Sequence, residues 1–167
     1  MSYELQALIG MLELLTVAAA EVPAARVVPL AQGLALIPVT PAVLSALQGD
    51  TAVSRSVGGA GSGGAGFGGY SDGFELRLAA WSKAGPIVRV EAEYFGGGGT
   101  QRAVGWFDGR VVLGPLASGE FESAPAEGTP ISRALRWLGG SVEPGRADEF
   151  DSVGLGAHRS TTEWAQG

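Results

Sequence analysis

The stretch IVRVEAEYFGGGGTQRAVGWFDGRVVLGP, residues 87–115, constrains this chain more than any other. Asp108-Gly109 stands between two apolar runs. Both residues adopt positive φ readily, so the pair marks a two-residue hairpin turn. Upstream, Val88, Val90, Ala92 and Tyr94 alternate with Arg89, Glu91, Glu93 and Phe95, the period of a strand with two different faces. The spacing predicts a three-stranded antiparallel meander over 87–114, with Gly96–Gly99 as its first turn. The Arg89, Glu91 and Glu93 side is expected to be a polar, solvent-facing surface of the sheet.

Around this meander the periodicity changes. Leu5, Leu8, Ile9, Leu12 and Leu15 fall at helical spacing, with Pro23 beyond the end, so an N-terminal helix is predicted. Residues 25–39 read as two short strands around Ala31-Gln32-Gly33. Pro29 and Pro38, which cannot donate to a ladder, belong at edges or strand ends. Thr40-Pro41 starts a short helix carrying Val43, Leu44 and Leu47. A helix over FELRLAAWSKAG ends at Gly85-Pro86, and another over ISRALRWLGG begins at Thr129-Pro130 and stops at Gly139-Gly140. Ser160-Thr161-Thr162-Glu163 is a capping-box pattern before a last helical turn. The stretch at 57–69, VGGAGSGGAGFGG, reads as a flexible loop, because glycine loses much entropy when ordered. No repeat and no second domain is visible, so residues 1–167 read as one domain.

Composition bears on compartment and on partners. The chain has no cysteine, which removes disulfides, thiolate metal sites and a thiol nucleophile, and fits a cytoplasmic location. Its net charge of −6 and scattered basic residues argue against nucleic acid and for a basic protein partner. LQALIGMLELLTVAAA imitates a secretory leader. However, MSYE carries an acid and no base, and Glu13 interrupts the apolar run, so neither a leader nor a membrane span is expected.

Several motifs invite chemistry. The loop at 57–69 matches G-x-G-x-x-G from Gly59, Gly61 and Gly64, a match that follows from composition alone and lacks the framing strand and helix. No cofactor is implied. The Gly96–Gly99 turn could present amides to an anion, but a shaping role for the glycines is the simpler reading. Asp148, Glu149 and Asp151 precede His158, the single histidine, and Arg159 follows it. Carboxylates with one imidazole can bind a metal or move protons. They also serve as caps and solvated loops. Glu91 and Glu93 are paired carboxylates on one strand face, and an exposed Glu93–Arg102 pair is expected across the hairpin. Trp81, Trp106 and Trp137 are expected in the core, and Trp164 at a partner surface.

The pieces together resemble a known pattern. EYFGGGG-Q-A-W at 93–106, ISRALRWLG at 131–139 and DEFDSVGLGAHRSTTEW at 148–164 are similar to motifs of small, uncharacterised bacterial proteins of actinobacterial type. Those proteins carry an E-Y-F-G-G-x-G-x-Q-x-A-x-x-W hairpin, an N-x-A-L-x-x-L-G helix and an acidic D-E-F tail ending in L-G-L-G-x-H-R. The resemblance covers residues 74–164 and implies an immunity-type role against a secreted bacterial toxin, with no catalytic residue to carry over. Ser132 stands where that pattern has asparagine, and 57–69 is extra relative to it.

The sequence therefore predicts an α+β domain: an antiparallel sheet containing a three-stranded meander, with helices on one face. Its expected role is a protein-interaction module, an immunity-type inhibitor, rather than an enzyme. Glu91, Glu93, Asp148, Glu149, Asp151 and Trp164 are its candidate contacts, and His158 and Arg159 a further polar site. The competing expectation is a small metal-dependent enzyme or ligand-binding domain using Asp148, Glu149, Asp151 and His158.

Overall fold

The structure is a computed structural model that describes residues 2–48, 72–95, 98–119, 126 and 128–166. The glycine-rich stretch at 57–69 lies outside the described residues, as do Gly96 and Gly97. The class is α+β, as the alternating periodicities predict. Strand β1 (Ser2–Met11) leads directly into helix α1 (Leu12–Ala20). Strands β2 (Val28–Pro29) and β3 (Leu34–Pro38) flank a 3-10 turn at Ala31–Gly33, and helix α2 (Pro41–Gln48) follows. Helix α3 (Asp72–Trp81) precedes strands β4 (Ile87–Phe95), β5 (Gly98–Phe107) and β6 (Arg110–Ser118). Helices α4 (Pro130–Trp137), α5 (Glu149–Val153) and α6 (Thr161–Gln166) end the chain. The six strands form one antiparallel sheet in the order β2-β3-β1-β4-β5-β6.

The meander forms as its turn chemistry dictates, with Asp108 at φ 54° and Gly109 at φ 83°. Two other expectations change. Leu5, Leu8 and Ile9 are in a strand, and the helix begins only at Leu12. The reason is position. β1 is a central strand between β3 and β4, so Leu5, Ala7 and Ile9 enter one core while Leu8 enters the other. A strand buried on both faces reads as a continuous apolar run, which periodicity cannot separate from a helix.

The helices also occupy both faces of the sheet rather than one. Residues of α4, α5 and α6, with Val88, Val90 and Ala103, build one core. Residues of α1, α2 and α3, with Ile87, Val104 and Trp106, build the second. Consequently the side of β4 that carries Arg89 is not simply a solvent face. At one end of the sheet it is roofed by Phe74 of α3, whose ring lies 4.8 Å from the Arg89 guanidinium carbon.

Candidate functional site

The second face passes from apolar to polar along the strands. In register across β1, β4 and β5 stand Leu8, Arg89 and Val104, then Gln6, Glu91 and Arg102, then Glu4, Glu93 and Thr100. The first rank is buried, and Arg89 is only 1% exposed. The next two ranks open into a cleft of about 240 Å³ lined by Glu4, Gln6, Glu91, Glu93, Thr100 and Arg102. Carboxylates outnumber guanidinium groups in this lining by three to one.

The electrostatics follow from depth. Burial pushes the Arg89 guanidinium down to about 9, opposed by the attraction of Glu91, whose Oε1 is 3.5 Å from Nη2. Arg89 therefore stays protonated at neutral pH. Burial raises the Glu91 carboxyl above its ordinary value of 4.5, the Glu93 charge adds to this, and Arg89 and Arg102 oppose it. Because the folded value is the higher one, the folded state holds this proton more tightly than the unfolded chain. Stability associated with it is present below about pH 4.5 and is lost as pH rises through the folded value. Thermal unfolding of wild type and Glu91→Gln across that range checks the sign. The stability of wild type relative to the variant should fall as pH increases, and a difference that grows with pH contradicts the burial account.

The wall of the cleft on β1 depends on the C-terminal segment. β3 pairs with residues 7–11 of β1 and the Val39 amide just beyond it donates to the Gln6 carbonyl (2.8 Å), so β3 does not cover the outer edge of β1 before Gln6. There the Glu4 amide donates to the Arg159 carbonyl (2.9 Å) and the Gln6 amide to Thr161 Oγ1 (2.8 Å). Thr161 in turn donates its hydroxyl to Glu4 Oε1 (2.8 Å) and its amide to Glu4 Oε2 (3.3 Å). The capping box forms in a modified way: Ser160 Oγ accepts from the Glu163 amide (3.1 Å), and Glu163 reaches back to the Arg159 amide (2.8 Å).

The tail residues have structural partners instead of a shared site. Asp148 caps α5 by accepting from the Asp151 amide (2.9 Å). Glu149 is 4% exposed and pairs with Arg136 Nε at 2.9 Å. Asp151 accepts from the Ala147 amide and lies 3.6 Å from Arg146. His158 packs edge-on against Trp164, with ring centroids 4.6 Å apart. Trp164 is 3% exposed and belongs to the first core, which corrects its expected place at a partner surface. Among the described residues, no three His, Asp or Glu side chains are grouped as a metal site needs. Glu91 and Glu93 are the only expected contact residues that line the cleft. Arg102, expected opposite Glu93, joins them in register with Glu91 instead, and Glu4, Gln6 and Thr100 also join, which only strand register, not displayed by one sequence, could have found.

The glycine-rich hairpin also resolves into packing. The Tyr94 ring lies across Gly99, its cross-strand partner, where any Cβ would overlap it. Gln101 donates to the Tyr94 hydroxyl and accepts from the Ile131 amide (3.1 Å), so it closes the start of α4 together with Thr129. Ala103 and Trp106 are buried. Tyr94, Gly99, Gln101, Ala103 and Trp106 of the motif are thus accounted for by packing or capping, whereas Glu93 and Phe95 are exposed.

A second groove, about 670 Å³, lies where β1 meets α1 and is lined by Met11, Leu12, Leu14, Val17 and Pro86, with Glu13 as its charged group. Its lining is apolar and offers no arrangement for chemistry. No helix among the described residues is long and apolar enough to cross a membrane. Compared with protein-family models, curated proteins and solved structures, the chain has no significant match.

Proposed function

We propose that this protein is a cytoplasmic interaction module that binds a basic protein partner at the polar end of its sheet, in the manner of an immunity-type inhibitor that covers a cationic active site. The supporting observation is the cleft itself, where Glu4, Glu91 and Glu93 line one concave surface against a single lining guanidinium, Arg102. The net charge of −6 favours encounter with such a partner. The tail carboxylates contribute to this field but are committed to caps and ion pairs, so the contact reading moves from Asp148, Glu149 and Asp151 to the cleft. Glu93, exposed on β4, is the group most available to a partner.

An amide NMR titration with a short oligolysine peptide tests this reading. Shifts should concentrate at Gln6, Glu91, Glu93, Thr100 and Arg102. They should weaken as salt rises, because exposed charges are screened beyond about 10 Å at 0.1 M. Glu93→Lys should abolish them while the fold is retained. Shifts confined to the tail, or equal in the variant, would remove the cleft from the account.

A further inference from the structure

Resting on that reading of the cleft, we infer that Thr161 is a positioning residue for it: helix α6 reaches across the open edge of β1 and sets the Glu4 carboxylate in place. The geometry is specific. Glu4 sits on the part of β1 that β3 does not reach, and a glutamate there has several free torsions whose freezing costs binding energy. Thr161 donates to both of its oxygens, at 2.8 Å from the hydroxyl and 3.3 Å from the amide. The same hydroxyl accepts from the Gln6 amide at 2.8 Å, which turns its single proton toward Glu4. Thr161 is itself fixed. It is 6% exposed, it follows the Arg159 carbonyl held by the Glu4 amide, and it precedes Trp164 in the core by three residues. An ionised carboxylate offers about four lone-pair positions. Two are taken by Thr161, and the others remain for a cationic group in the cleft.

The consequence is linkage between the C-terminal segment and the cleft. A cation that uses Glu4 gains from a carboxylate already oriented, so Thr161 contributes to affinity without touching the ligand. The test is the oligolysine titration on wild type, Thr161→Val and Thr161→Ser. Valine keeps the shape and the amide but removes the hydroxyl. The account expects Thr161→Val to bind about five- to tenfold more weakly, the worth of one ordinary net hydrogen bond, and Thr161→Ser to restore affinity to within about twofold. A role confined to stability would lower the melting temperature of Thr161→Val and leave the affinity of the folded protein unchanged, which overturns the inference and leaves the cleft standing. If Thr161→Val does not fold, Glu4→Asp replaces it: the charge remains, but the carboxylate is withdrawn from Thr161, and unchanged affinity again overturns the inference. No oligolysine binding to wild type overturns both the cleft reading and this one.

Discussion

Trp164→Ala is expected to lose about 3–5 kcal/mol of stability, the cost of deleting a large aromatic from a packed core. For a domain of this size that lowers the melting temperature by roughly 10 °C. The expectation follows from burial: the indole is 3% exposed within the core formed by α4, α5 and α6 on the sheet. Its Nε1 has no hydrogen-bond acceptor among the described residues, so the contribution is packing alone. Trp164→Phe, which keeps most of that packing, should cost only about 1–2 kcal/mol. Denaturant unfolding of both variants checks this. A Trp164→Ala protein as stable as wild type would return the residue to the surface role its place in the sequence suggests. Its loss should also loosen α6 and the Arg159–Thr161 segment, seen as faster amide exchange at Glu4 and Gln6.

The second large effect is at Gly99. Gly99→Val should cost about 2–3 kcal/mol, because its side chain must displace the Tyr94 ring from the strand opposite. Moving that ring also disturbs the hydrogen bonds through Gln101 to the start of α4. The glycine is not required for its backbone angles, since Gly99 is not among the residues at positive φ. The prediction is therefore a coupled one. In a Tyr94→Ala background the space is empty, valine suits a strand, and Gly99→Val should cost less than about 0.5 kcal/mol. Equal costs in the two backgrounds would mean that the glycine serves the backbone and not the ring.

These two sites show how much of the fold the sequence makes legible. The meander could be read because Asp108-Gly109 has a local preference strong enough to act alone. Thr40-Pro41 and Thr129-Pro130 marked helix starts for the same reason. The strand at 2–11 could not be read, because its apolar run reflects burial between two neighbours distant in sequence. Arg89 was misplaced on a solvent surface because alternation reports only that two faces differ. That Phe74 and α3 would cover one end of the polar face is a tertiary fact. The candidate site was half visible: Glu91 and Glu93 were paired by period and Arg102 followed from the hairpin, one rank away from its actual partner Glu91, whereas Glu4 and Thr100 reach them only through register. The tail cluster was the opposite case. Asp148, Glu149 and Asp151 are close in sequence, but each is used for a cap or an ion pair.

Several residues of the hairpin and of the tail have a structural role. Tyr94, Gly99, Gln101, Ala103 and Trp106 hold the hairpin against α4 and the cores, and Asp148, Gly154 and Leu155 shape α5 and its exit. These residues build the scaffold, and the proposed partner contacts are Glu93 within the hairpin together with Glu4 and Thr100 from outside it.

The most direct measurement of the central claim is a pull-down from the protein's own cells with three baits, wild type, Glu93→Lys and Asp148→Asn/Asp151→Asn, at low and at moderate salt. The account predicts one basic protein in stoichiometric amount, held by wild type and by the tail variant, released as salt rises, and lost with Glu93→Lys. A basic partner that Glu93→Lys retains and the tail variant loses would contradict it.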